Sequence, residues 1–175
     1  DINQAVTIYG AGANQTVLDG GQIDRVFHFR NGAVMLAGVT VQNGMPPNSS
    51  NGGGIEIDKG PITILNSAIV NNTAGDSGGG IAIYGGTTVN LINSTISGNQ
   101  SNGSDDPALY GRGGGIFNWG YLTVTNSTIS GNSTNKWGGG ILNFGSTHLN
   151  NVTITNNTAD SDNTGDSSGG GIYNP

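Results

Sequence analysis

The quartet Gly-Gly-Gly-Ile occurs five times, ending at Ile55, Ile81, Ile116, Ile141 and Ile172, at intervals of 26, 35, 25 and 31 residues. A period of this size marks an array whose units cannot bury an apolar side alone and must stack to share a core. Each of the first four quartets is followed by a short apolar stretch, a Gly-containing turn and an alternating segment. These segments are ITILNSAIVNN (62–72), VNLINSTISGN (89–99), LTVTNSTISGN (122–132) and HLNNVTITNN (148–157). The variable length falls between the last Asn and the next triplet, as in QSNGSDDPALYGR (100–112) and TADSDNTGDSS (158–168). Insertions confined to one corner leave stacked coils undisturbed, which is the tolerance of a solenoid.

Period and residue type choose strand over helix. Ile62/Ile64, Val89/Leu91 and Leu122/Val124 alternate with Thr63, Asn90 and Thr123, a period of two with β-branched enrichment. GVTVQNG (38–44) reads as a degenerate earlier copy, and VTIYGAG (6–12) and TVLDGG (16–21) as earlier strands still. The expected fold is all-β, a right-handed, single-stranded parallel β-helix of about six to seven coils of roughly 25 residues. It is expected to form one domain over 1–175, with degenerate coils in 1–51 and the GGGI repeats, the last coil truncated, in 52–175. Ile55, Ile81, Ile116, Ile141 and Ile172 then superpose as one internal ladder, and Ile69, Ile96, Ile129 and Ile154 as another. Asn66, Asn93, Asn126 and Asn151 form one further column. Asn72, Asn99, Asn132 and Asn157 form another, and in both the amides are able to bond from coil to coil at a spacing of about 4.8 Å. The Gly triplets read as corners that need positive φ or close approach between coils.

Gly, Asn, Thr and Ser together fill 89 of the 175 positions, and charged residues only 9%. Disordered chains share part of that signature, so it is the repeat register that assigns these residues to corners, columns and outward positions. The net charge of −6 argues against nucleic acid or an anionic membrane as partner, because both require a basic face. No apolar run is long enough to span a membrane, and the absence of Cys excludes disulfides and thiolate zinc sites. Asp1 opens the sequence without a charged and apolar leader pattern, so any secretory signal is expected to have been removed or to lie outside it.

GGGIFNWGYLTVTNSTISGN (113–132) and its copies at 52–72, 78–99 and 138–157 resemble the repeats of bacterial surface β-helix proteins. These include the polymorphic outer-membrane protein type, with its GGAI and FxxN signatures, and related large secreted proteins. The likeness is strong over 52–174 and looser over 6–44. It departs from FxxN by placing Ile for Phe, as in Ile96-Ser-Gly-Asn99 and Ile129-Ser-Gly-Asn132. The resemblance implies an extracellular or cell-surface location and adhesive or scaffolding roles.

Parallel β-helices also carry polysaccharide lyases and hydrolases, whose sites cluster carboxylates on neighbouring coils. Glu56 and Asp58 take outward positions on one coil, but the equivalent residues above, Ala82/Tyr84, Phe117 and Leu142, are not acidic. The pair therefore lacks a partner column. Asp19, Asp24, Arg25 and Arg30, with His28 between them, form a second charged group, and spacing leaves open whether it converges. His148 aligns with Thr63, Asn90 and Thr123 at an outward strand position. No catalytic residue is assigned and no cofactor is expected, calcium apart. Asp160, Asp162 and Asp166 offer oxygen ligands at alternating positions, like the first half of an EF-hand loop, but Gly171 stands where that motif needs a bidentate Glu. Tyr84, Phe117, Trp119, Phe144 and Tyr173 recur after the last four GGGI quartets and could line one face, as platforms for glycans or a partner surface or as packing at a corner. Of ten Asn-x-Ser/Thr sequons, most fall out of the repeat itself, and in a secreted eukaryotic protein the loop sequons at Asn48 and Asn102 would be the expected acceptors.

The expected function is a non-enzymatic, extracellular structural or adhesive solenoid. Its open coil edges are expected to pair end to end between copies, or to continue into a longer stalk. A polysaccharide-binding or polysaccharide-cleaving β-helix is the alternative.

Overall fold

Residues that alternate Thr or Asn with Ile, Leu and Val form short strands here, and each strand finds its partner in the equivalent segment of the neighbouring coil. A computed structural model describes residues 1–103, 112–163, 165 and 167–175. Every strand pairing in it is parallel, and its described strands form a ten-stranded, a six-stranded and a three-stranded sheet. Among the described residues there is no helix. The six-stranded sheet stacks Phe27–Phe29, Ile55–Ile57, Ile81–Ile83, Ile116–Asn118, Ile141–Asn143 and Ile172–Tyr173 in sequence order, one strand per turn. The chain is thus a parallel β-solenoid of about six turns.

Register follows the apolar ladders expected from the sequence. Phe27, Ile55, Ile81, Ile116, Ile141 and Ile172 are aligned partners, as are Val41, Ile69, Ile96, Ile129 and Ile154. The middle members are fully buried in one continuous core. The next coil is what covers each ladder residue, so burial weakens at the ends. Ile141 is 0% exposed and Ile172 41%, while Val6, Ile8, Leu18, Leu149, Val152 and Ile154 are only partly buried.

The two Asn columns do different work. Asn72, Asn99 and Asn132 are completely buried, and their amides run up the stack. Asn72 Nδ2 donates to Asn99 Oδ1 at 3.0 Å, Asn99 Nδ2 to Asn132 Oδ1 at 2.9 Å and Asn132 Nδ2 to Asn157 Oδ1 at 2.9 Å. Each Oδ1 also accepts the backbone N–H of the Asn below, so one amide satisfies several buried groups that water cannot reach. Asn66, Asn93, Asn126 and Asn151 form the left-handed corner of the coil, with φ from 48° to 53°, and their exposed amides also bond between coils, Asn93 to Asn66 and Asn151 to Asn126. The Gly triplets combine both demands of a tight corner. Gly113 has φ 65°, and a Cβ on Gly114 would lie 2.3 Å from the Ser133 carbonyl oxygen.

Candidate functional site

In the six-stranded sheet, Ile55 and Ile57 point inward, which sends the residue between them out. The same alternation on each coil aligns His28, Glu56, Ala82, Phe117, Leu142 and Tyr173 in one outward column. A second column follows where the chain leaves each strand. The amide of Asp58 donates to Phe29 O, of Tyr84 to Ile57 O, of Trp119 to Ile83 O and of Phe144 to Asn118 O. The resulting face is polar on its lower coils and aromatic on its upper ones.

At the polar end the two charged groups seen in the sequence, Asp19 apart, meet in one cluster. His28 Nε2 lies 2.9 Å from Asp58 Oδ2 and 3.7 Å from Glu56 Oε2, and His28 Nδ1 lies 3.2 Å from Asp1 Oδ1. Arg25 forms an ion pair with Glu56 through Nη1, and Arg30 Nε sits 3.4 Å from Asp1 Oδ2. Tyr84 donates its hydroxyl to Glu56 Oε1 at 3.3 Å and accepts from Asn51 Nδ2 at 2.8 Å. Burial pushes the His28 imidazole below its ordinary value, outweighing the hydrogen bond and charge of Asp58, which favour the cation. Burial likewise lowers Arg25 and raises the Tyr84 hydroxyl. A pocket of about 270 Å³, lined by Asp1, Asp24, Arg25, His28, Pro47 and Ser50 among others, opens beside the cluster.

The partner that Glu56 and Asp58 seemed to lack comes from the coil below, through Phe27–Phe29, while Ala82 and Tyr84 above them are non-acidic as expected. No Gly triplet precedes Phe27–Phe29, so the repeat signature does not mark it. The only signal is the Phe-His-Phe alternation, which matches Ile-Glu-Ile once the two are stacked. Asp24, Arg25, His28 and Arg30 gather around or beside this pocket, whereas Asp19 accepts from Gln42 and Asn43 at 2.8 Å each.

At the aromatic end, Trp119 and Phe144 are 58% and 43% exposed, while Phe117 is buried beneath them. Phe117 and Phe144 meet edge to face at 6.2 Å. Together with Arg112 these rings line a pocket of about 290 Å³. Trp137 stacks on Tyr173 at 5.8 Å, and the Arg112 guanidinium lies 5.5 Å from the Trp137 ring centre. Tyr84 shares the face but is turned into the polar cluster, where its hydroxyl is engaged. His148 sits in register with Thr123, as the alignment requires. Asp160 turns back on its own loop, accepting the Gly165 amide at 3.0 Å with φ 64°. Asp166, the third member of the calcium candidate with Asp160 and Asp162, lies outside the described residues.

A family model described as a right-handed beta helix region matches residues 4–174. No curated protein and no solved structure matches the chain.

Proposed function

The chain belongs to the right-handed β-helix family, and from that premise we propose that it is a non-catalytic, extracellular binding and scaffolding solenoid that holds glycans on its aromatic end. The observation carrying this reading is the paired exposure of Trp119 and Phe144 over Phe117, beside Arg112. Large apolar rings held in place by buried backbone ladders present flat faces to water. Such faces stack on the C–H faces of sugar rings, and a neighbouring guanidinium recognises hydroxyl or carboxylate oxygens. Adhesion at a bacterial surface, in the manner of the polymorphic outer-membrane protein repeats that the sequence resembles, is the role we assign to it. The test is a glycan array with the native chain and the Trp119→Ala/Phe144→Ala double variant. Binding lost in the double variant supports the reading, and binding that survives sinks it.

The partner we propose for an open coil edge is a second copy of this chain, the alternative being further coils of a longer solenoid stalk. Every coil carries the same parallel register, so the upper edge of one copy offers the pattern that the lower edge of another completes, and it covers residues such as Ile172 and Leu149. Light scattering across a wide concentration range should show mass growing with concentration. A strictly monomeric result rejects it.

The convergence of Arg25, His28, Glu56 and Asp58 supports a second reading, cleavage of a polysaccharide. Glu56 and Asp58 offer oxygens within 4.8 Å of each other, closer than an inverting pair that must seat a water between them. Arg25 already holds Glu56 and His28 holds Asp58, which is why this reading stands second. Release of reducing or unsaturated sugars, abolished by Glu56→Gln, would establish it.

A further inference from the structure

We propose that His28, Glu56 and Asp58 form a binding site for a first-row divalent metal ion of the Zn²⁺ or Co²⁺ class. The three residues come from two adjacent coils, and one ligand atom from each lies within 4.8 Å of the others. Ligands about 2.0–2.1 Å from a common ion stand about 2.8–3.4 Å apart at octahedral and tetrahedral angles. The observed 2.9 Å between His28 Nε2 and Asp58 Oδ2 falls inside that range, and the 3.7 Å between His28 Nε2 and Glu56 Oε2 lies just beyond it.

The surroundings orient these donors as a metal site requires. Asp1 Oδ1 lies 3.2 Å from His28 Nδ1, the carboxylate–imidazole arrangement that places the hydrogen on Nδ1 and leaves the Nε2 lone pair for an ion. Tyr84, itself held by Asn51, occupies Glu56 Oε1 and turns Oε2 towards His28. The backbone beneath is fixed by the strand pairing of Phe27–Phe29 with Ile55–Ile57. An imidazole among the ligands selects a first-row divalent ion over Ca²⁺ or Mg²⁺, which favour all-oxygen shells. The Asp58 side chain is 40% exposed, which leaves the remaining coordination positions open to water or an oxygen-donor ligand.

Arg25 is the competitor. Its guanidinium supplies to Glu56 the positive charge that a metal would supply, so the ion must displace it. A site of this kind is therefore strengthened by removing Arg25, whereas a purely structural ion-pair network is only weakened.

The experiment is a Co²⁺ titration of the whole chain, followed by calorimetry and by visible absorption of the bound ion, with Zn²⁺ and Ca²⁺ as competitors. The expected result is saturable 1:1 binding, displaced by Zn²⁺ and not by millimolar Ca²⁺. His28→Gln and Asp58→Asn should each weaken it at least about tenfold, and Asp1→Asn about tenfold by releasing the imidazole. Asp160→Asn/Asp162→Asn should leave it unchanged, and Arg25→Gln should tighten it. The proposal is overturned if Co²⁺ does not saturate, if Ca²⁺ displaces it, if His28→Gln binds like the native chain, or if Arg25→Gln fails to tighten binding. Because Arg25→Gln is read as a gain, a loss-of-function variant that fails to fold cannot imitate the expected pattern.

Discussion

His28 and Glu56 occupy the same outward column as Phe117, Leu142 and Tyr173, in the same parallel register on the same sheet. One residue earlier in the chain, the inward column reads Phe27, Ile55, Ile81, Ile116, Ile141, Ile172. The inside of the coil repeats and the outside does not. Register is set by ladders that bury apolar side chains and satisfy backbone groups, so an outward position can change from imidazole to carboxylate to phenyl without moving the strand. Ala82, between Glu56 and Phe117, is where the polar half gives way to the aromatic one.

The contrast breaks most completely if the shared interior is damaged beneath both halves. Ile81 is 1% exposed and stacks between Ile55 and Ile116, so Ile81→Ala should cost about 2–5 kcal/mol in denaturant unfolding. It should impair the proposed metal and glycan sites together, and a variant that loses only one site would show the halves to be structurally independent. A smaller effect separates the two Asn columns. Asn99→Ala leaves buried donors and acceptors of the neighbouring coils unmatched and should cost about 1–3 kcal/mol. Asn93→Gly keeps the left-handed corner at φ 48° and loses one exposed amide bond, so it should stay within about 0.5 kcal/mol.

A pH titration sharpens the polar half alone. Burial holds His28 below its ordinary 6.5 in the folded chain, so between those two values the unfolded chain binds more protons. Folding stability is then complete above the unfolded value and declines as pH falls through 6.5 towards the folded value. Thermal melts in metal-free buffer should show that decline in the native chain, and His28→Gln should flatten it. The smallest expected effect belongs to the aromatic half. Trp119→Ala removes a largely exposed ring and should leave the melting temperature nearly unchanged while removing glycan binding.

The solenoid, the ladder residues and both Asn columns were legible because stacking repeats them. A residue that must cover its copy in the next coil leaves a periodic trace, as Ile55 to Ile172 and Asn72 to Asn157 do. The placement of the aromatic rings on one face was legible for the same reason, since Trp119 and Phe144 follow equivalent strands. The polar cluster was not. His28 and Glu56 lie 28 positions apart in the sequence, and their contact depends on the pairing of Phe27–Phe29, a strand whose corner carries no triplet. Tyr84 shows the limit from the other side. Its position in the aromatic column was readable, but the hydrogen bonds that turn it towards Glu56 depend on Asn51, a neighbour outside the repeat pattern.

The central claim, that one face of a uniform solenoid carries an aromatic binding platform, can be tested at Trp119 itself. The chain has two tryptophans, and Trp137→Phe leaves Trp119 as the sole indole while retaining an aromatic partner for Tyr173. Titrating that variant with a glycan retained on the array should shift Trp119 emission to shorter wavelength, saturating at the affinity found by calorimetry. Saturable binding that leaves the emission unchanged would contradict the account, because the sugar would then be held somewhere other than this face.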